Sequence, residues 1–383
     1  MNTSIRLLHS GEDFFQHLEK LIGRAKQELH LQTYRMAEDE TGRRIAEAII
    51  HAAQSGVEVY LLLDAYGSGG FSKNFVASLK QAGVHLRFFS PLFFFQGWFF
   101  GRRLHHKIAI ADGRIAIIGG INISNSYRGT ATEPAWLDFA LRLEGKVCLK
   151  IQEICQELWG RKLFLPPVKI LRRAKAPGQR ETAPFKVIHN DWFRYKNQVD
   201  DRYRQAVQEA RKSITIVASY FLPGLRFRMA LAKVAKQGII VKLILAGRSD
   251  VPVVKFASTY LYRFLLKNGI EIYEWHESVL HAKVMMIDER WFTLGSFNLN
   301  YLSTYGSIET NVESTDPNAV RQLSANLHRV LSGCEKITLE EVQKKETFLI
   351  RIRNWLSYRL MRRAFLIMTF FTFKRWGKTT FSE

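Results

Sequence analysis

Cysteine is scarce in this chain: Cys148, Cys155 and Cys334 are all it has in 383 residues. An odd, widely spaced set excludes a disulfide framework and has no metal-ligand spacing, so a reducing compartment is the simpler setting. Long apolar runs are missing too. No stretch approaches the ~20 apolar residues that a spanning helix needs, and the opening MNTSIRLLHSGEDFFQHLEKL lacks the apolar core of a secretory leader. The expectation is a soluble or peripheral protein. Acidic residues are in deficit, 35 Asp and Glu against 56 Lys and Arg, for a net charge of +21. That excess says nothing about fold but favours anionic partners, nucleic acid or acidic lipid head groups. What the chain has in quantity is phenylalanine, 27 residues, many beside Arg or Lys. Phosphate contacts need cations but not exposed Phe, so the mixture suits a membrane interface better than a duplex.

The composition is 47% hydrophobic, enough for a large core, and the length allows two domains or one bilobal unit. An internal repeat decides between them. HHKIAIADGRIAIIGGIN at 105–122 matches HAKVMMIDERWFTLGSFN at 281–298, and His105, Lys107, Asp112, Gly119, Gly120 and Asn122 map onto His281, Lys283, Asp288, Gly295, Ser296 and Asn298 at a constant offset of 176. Upstream flanks agree. AKQELHLQTYRM parallels ARKSITIVASYFL, AAQSGVEVYLLLDAYGS parallels VAKQGIIVKLILAGRSD, and LKQAGVHLRFF parallels LLKNGIEIYEW. Each half reads as strand, helix, strand, helix, strand, then the motif as another strand and turn. Such alternation predicts an α/β fold of two pseudo-symmetric lobes, each a mixed sheet flanked by helices, with the site at the lobe interface. The boundaries expected are 1–164 for the first lobe, a Pro-rich basic linker at 165–184, a second lobe at 185–343, and a basic amphipathic, helical tail at 344–383.

In HxKxxxxD the His and Lys are two apart, so on a strand both side chains project to one face. Two copies about a pseudo-twofold axis would supply two imidazoles and two ammonium groups to one phosphate. Phosphodiester transfer needs those parts. One neutral imidazole attacks phosphorus and forms a phosphohistidine. The other donates a proton to the leaving alkoxide and takes one from the second acceptor. Lys107 and Lys283 neutralise the non-bridging oxygens, with Asn122 and Asn298 adding hydrogen bonds, and no metal or other cofactor is required. Asp138 and Glu309 are candidates to accept an imidazole Nδ1 proton and fix its tautomer. Asp112 and Asp288, at strand ends before turns, read as turn-capping residues. His106 has Ala282 opposite it in the second copy and reads as outward-facing; His30, His51 and His85 have no motif context and read as structural or exposed. A lone HxK on a strand is an ordinary surface accident. Two copies with matched Gly-Gly/Ser-x-Asn are not.

These residues resemble the phospholipase D superfamily, and within it the bacterial cardiolipin synthase group of the shorter type without N-terminal transmembrane helices. HHKIAIADGRIAIIGGINIS, WLDFALRLEGKV, SYFLPGLRFRMAL, LILAGRSDVPVVKFASTYLY and SVLHAKVMMIDERWFTLGSFNLN carry the resemblance, which spans roughly residues 6–330. It implies that His105, Lys107, Asp112, His281, Lys283 and Asp288 are active-site residues, that Asn122 and Asn298 line the pocket, and that the first motif's histidine is the nucleophile. The function implied is phosphatidyl transfer to form cardiolipin, with hydrolysis as the alternative and nuclease activity a more distant one. Three departures bear on the acceptor: Gly119-Gly120 for Gly-Ser, Leu137 where Arg often precedes the Asp, and NLNYLST after the second motif. The partners expected are a phospholipid substrate and an anionic membrane surface, not nucleic acid, at the cytoplasmic face of the cell membrane. Two segments read as lipid-facing. PLFFFQGWFFGRR (91–103) has six Phe or Trp before two Arg, and the tail from 344 has ten Lys or Arg against two Glu, with Trp355, Phe365 and Phe370 as its apolar contacts.

Overall fold

A computed structural model of the chain describes residues 4–90, 93–94, 97–98, 102–160, 184–191 and 196–377. The proposed linker, apart from Pro184, and most of the 91–103 segment lie outside these.

The predicted α/β architecture with two mixed sheets is what forms. The first sheet has seven strands in the order Ser4–His9, Phe139–Glu144, Ile115–Gly119, Lys107–Ala111, Glu28–Thr33, Glu58–Asp64, His85–Phe89. The last three run parallel to one another and the rest pair antiparallel. In the second sheet the same sequence of partners recurs: Phe185–Asp191, Ser307–Ser314, Trp291–Gly295, Lys283–Ile287, Ser213–Ala218, Ile240–Arg248 and Glu271–Val279. Short strands at Lys196–Asn197 and Cys334–Ile337 extend its two ends.

Helices cover the outer faces because their apolar residues recur at helical spacing. Glu12–Arg24 buries Phe14, Phe15, Leu18, Leu21 and Ile22, while Glu40–Gln54 starts where the Asp39 carboxylate accepts from Gly42 N. The inner faces of the sheets share one core. Ile108 and Ile110 of the first motif strand meet Val284 and Met286 of the second, with Phe139, Leu141, Phe292 and Val312 around them. Alternate residues, Ala109 and Met285, turn outward to the helices.

That parity corrects the expectation for His106. It points away from His105, as a strand requires, but it shares its parity with Ile108 and Ile110, whose face meets the other lobe. His106 is fully buried, with Nε2 2.7 Å from Thr310 Oγ1 and Nδ1 3.2 Å from Gln32 Oε1. The sheet has no solvent face at that point.

The tail forms the helix Phe348–Gly377, packed along Pro252–Thr259 and Tyr301–Tyr305. Its inward stripe is Asn354, Ser357, Tyr358, Met361 and Phe365, two of them strongly polar; Trp355 faces outward with the arginines. Phe370's side chain lies outside the described residues.

Candidate active site

The lobes exchange backbone where the motifs begin. Arg103–Leu104 pairs in parallel with Ser307–Ile308 of the other sheet, with Arg103 N donating to Gly306 O and His105 N to Ile308 O, each at 3.0 Å. The second motif mirrors this: Leu137 N donates to Val279 O and His281 N to Leu137 O, both at 2.8 Å. Each histidine therefore stands beside the residue that follows its cross-lobe partner, Glu309 after Ile308 and Asp138 after Leu137. His105 Nδ1 is 2.8 Å from Glu309 Oε2, and His281 Nδ1 is 2.7 Å from Asp138 Oδ2. The carboxylates are crossed: each lobe orients the histidine of the other.

The two imidazoles are held differently. Around His105 Nδ1 stand two acceptors, Glu309 Oε2 and, at 3.0 Å, the carbonyl of Ser296. Nδ1 must carry the proton there, which leaves the Nε2 lone pair free. His281 Nδ1 faces one acceptor and one donor, since Lys283 Nζ comes within 2.7 Å of it and 3.7 Å of Asp138 Oδ2. Both lysines fold back on their motif, Lys107 Nζ donating to the carbonyl of His105 at 2.9 Å and Lys283 Nζ to that of His281.

Burial dominates the electrostatics. It pulls His105 below the ordinary imidazole value, against Glu309's opposing pull, and lowers His281 well below it, helped by Lys283 and Lys107. Burial also brings Lys107 down to about 7 and lowers Lys283, while it lifts Asp138 to about 6. At pH 7 both imidazoles, held below their ordinary value, are neutral, and Lys107 at about 7 is only partly protonated. A bound phosphodiester brings a negative charge that favours proton uptake by these lysines and by His281.

Other expected site residues fall elsewhere. Asp112 and Asp288 sit at the far ends of their five-residue strands with positive φ of 52° and 53°. The Asp112 carboxylate accepts from Lys26, Gln27 and Glu28 N, and that of Asp288 from Arg211, Lys212 and Ser213 N, at 2.7–2.9 Å. Neither reaches the imidazoles; each ties its motif turn to the neighbouring strand. Asn122 and Asn298 are buried, but Asn122 receives Arg35 N and donates to Tyr127 OH at 2.8 Å, and Asn298 Oδ1 accepts from Ser219 Oγ at 2.9 Å.

The walls are aromatic. Tyr34 meets His105 edge-on at 5.1 Å between ring centres, and Tyr127 and Tyr220 meet His281 at 5.3 and 6.0 Å. Sequence reasoning did not single these out. For Tyr34 and Tyr220 the one signal is position: Tyr34 directly follows a parallel strand and Tyr220 comes two residues after one, at the carboxyl ends where α/β sheets place their sites. Among the described residues no cluster of three or more His, Cys, Asp or Glu is arranged to hold a metal.

Comparison with known proteins gives the family of the chain. A family profile described as "Cardiolipin synthase, PLD-like domain" matches residues 18–159 and 203–331, most of the chain and both motifs. The chain belongs to this family. Cardiolipin synthase B of Escherichia coli K12 is 33% identical over 363 residues, 94% of this chain and 87% of that protein. The minor cardiolipin synthase ClsB of Bacillus subtilis is 28% identical, covering 93% of this chain and 88% of its own length. Among solved structures, the phosphatidylserine synthase of Haemophilus influenzae superposes with a TM-score of 0.75 over 95% of this chain and 94% of that one, at 13% identity. The chain shares that protein's overall fold.

Proposed function

We propose that this member of the cardiolipin synthase family transfers the phosphatidyl group of one phospholipid to the hydroxyl of another, phosphatidylglycerol in the first instance, through a phosphohistidine at His105. The observation that carries the assignment is the contrast at the two Nδ1 atoms. His105 Nδ1 meets only acceptors, so its Nε2 presents a lone pair to phosphorus; His281 Nδ1 lies between Asp138 and Lys283, so its ring can gain and lose a proton. In the first half-reaction the Nε2–P bond forms as the P–O bond to the donor's head-group alcohol breaks, and His281 protonates the departing oxygen. In the second, His281 takes the proton of the incoming hydroxyl, the new O–P bond forms and the N–P bond breaks. Lys107 and Lys283 balance charge on the non-bridging oxygens. Asp138 and Glu309 hold the rings, and Asp112 and Asp288 keep the motif turns in place.

The exchange of roles between the histidines is the second reading, favoured by the stronger downward shift at His281, which suits a neutral nucleophile. Hydrolysis differs only in the acceptor. The working location proposed is peripheral, on the cytoplasmic face of the cell membrane against anionic lipid; among the described residues no helix is long and apolar enough to cross a bilayer. The test is purified protein on vesicles containing phosphatidylglycerol, with products separated by mass spectrometry. Cardiolipin plus free glycerol supports transfer. Phosphatidic acid alone makes the protein a hydrolase, and cleavage of DNA with no lipid product overturns both.

A further inference from the structure

Thirteen large apolar side chains are exposed among the described residues, and they are not scattered: seven lie on the helix Phe348–Gly377 alone. Phe348 and Leu349 are each 76% exposed, Leu360 60% and Leu356 53%, interleaved with exposed Arg351, Arg359, Arg362 and Arg363. Monomeric proteins seldom leave so much contiguous apolar surface uncovered. The helix is fixed to the body by its other face, where Phe365 and Tyr358 pack with Leu222, Val254 and Ala257. It is therefore a built surface, not a trailing end.

The patch continues beyond the tail. Arg228 donates to Tyr358 OH at 3.1 Å, which joins the tail to the helix Leu225–Lys236. On that helix Leu225 and Met229, one turn apart, are 57% and 51% exposed. Leu225 also lines a groove of about 350 Å³ with Asp200, Arg204, Pro223, Tyr301 and exposed Tyr305, and Tyr301–Tyr305 is the short helix on which the tail packs. Ten of the thirteen exposed apolar residues thus belong to one region. The same packing cluster includes Tyr220, whose ring edges His281, so the region adjoins the second lobe's wall of the site.

We infer that the tail helix and the Leu225–Met229 edge together form one docking face for an anionic bilayer, and that it sets the His281 side of the site against the lipid. The occupant follows from charge. Residues 348–377 contain no Asp or Glu. A second copy of this chain would bring the same arginines and a net charge of +21 to the contact, whereas anionic head groups neutralise them as the apolar side chains enter the acyl boundary. The inference deepens the lipid reading of the function and rests on it for the consequence on turnover.

The experiment uses the full chain and vesicles of phosphatidylglycerol and phosphatidylcholine, with bis-p-nitrophenyl phosphate as a soluble substrate. Leu356→Glu/Leu360→Glu and, separately, Leu225→Glu/Met229→Glu should each lower vesicle partitioning at least tenfold, with soluble turnover within about twofold of the unsubstituted protein. In the unsubstituted protein, brominated lipid should quench tryptophan fluorescence, and Trp355→Phe should abolish most of that quenching without any charge change. Vesicle binding unaltered in the Leu225/Met229 variant overturns the composite face, and unquenched Trp355 overturns the tail's part in it. A light-scattering dimer that dissociates in either variant assigns the face to a second copy and also overturns the inference. Vesicle binding by this face without any lipid product would leave the inference standing and sink the transferase reading instead.

Discussion

Replacing Asp138 with Asn tests the crossed arrangement most directly, because it keeps the shape and removes the charge. Asp138 Oδ2 lies 2.7 Å from His281 Nδ1 and 3.7 Å from Lys283 Nζ. At an effective dielectric of about 20, a unit charge pair at that second distance is worth about 4 kcal/mol, and the charge-assisted hydrogen bond adds roughly 1.5–3 kcal/mol. The Asn amide can also turn its NH2 group toward Nδ1 and so impose the wrong tautomer. The expected loss in kcat is roughly 10²–10⁴-fold, the range for removing a positioned acid–base function or the carboxylate that orients one. A purely structural role would lower activity without moving its pH dependence. Here the charge that holds the proton on buried Lys283 is gone, so Lys283 should lose it at lower pH and the alkaline limb of the kcat/KM profile should move down the pH scale. The assay is turnover of a soluble phosphodiester from pH 5 to 10, with circular dichroism to establish folding. A folded Asp138→Asn protein with less than a tenfold loss and an unmoved alkaline limb would refute the assignment of this carboxylate to His281 and Lys283.

His281→Ala should still react once with an activated phosphodiester such as bis-p-nitrophenyl phosphate, whose leaving group needs no acid, and should accumulate an acid-labile phosphate on His105 detectable by mass spectrometry; the label on His281 of a His105→Ala protein instead would exchange the roles. Lys107, held at about 7 by burial, is mostly neutral at pH 8 in the free site, so inorganic phosphate should bind with proton uptake and more weakly as pH rises above 7. Calorimetric heats that are identical in buffers of different ionisation enthalpy would contradict this. Asp112→Asn should lower stability by about 1–3 kcal/mol through three weakened hydrogen bonds to backbone N–H groups, while turnover per folded molecule stays within a few-fold. Against the opposing effect of burial those bonds lower the Asp112 pKa, so its contribution is present above the unfolded carboxylate value near 4 and vanishes as pH falls through the folded one, and wild type and variant should converge in urea melts as pH falls below it. Equal stability at pH 7 would remove Asp112 from that role.

The repeat made much of this legible. A constant offset over six positions identifies two copies of one unit, and apolar periodicity orders the strands and helices within each. Period-two alternation also put His105 and Lys107 on one side and His106 on the other. What it could not show is that the other side of His106 faces a second sheet, because local pattern does not distinguish a solvent face from an interlobe core. The crossing was hidden for a similar reason. Asp138 and Glu309 were readable as histidine partners, but which carboxylate serves which ring depends on Arg103–Leu104 and Leu137 pairing with the opposite lobe, a contact between segments about 140 to 200 residues apart. Tyr34, Tyr127 and Tyr220 carry no motif at all. In the tail, the helix was readable but its orientation was not, since polar Asn354 and Ser357 are buried while Leu356 and Leu360 are exposed.

The departure at Gly120 gains its meaning only from the crossed pairs. In the second half Ser296 Oγ donates to Glu309 Oε2 at 2.6 Å, so the longer carboxylate is held by a hydroxyl while it reaches His105. In the first half the equivalent residue is glycine, and a Cβ placed there would stand 2.2 Å from Asp138 Oδ1 and 2.5 Å from Oδ2. The shorter carboxylate occupies the space that a serine side chain would take. Glu with Ser and Asp with Gly are thus two solutions to one spatial requirement, and each residue of a pair constrains the other. Asp138 has no hydroxyl donor from position 120, and burial lifts it to about 6 beside a lysine that shares its histidine nitrogen. A ring coupled to such a group is suited to proton transfer near neutrality, while a ring fixed by Glu309 and the Ser296 carbonyl is suited to attack. Pseudosymmetry supplies two copies of one design, and on the roles proposed for His105 and His281 the Gly120–Asp138 pair is where the copies divide the labour.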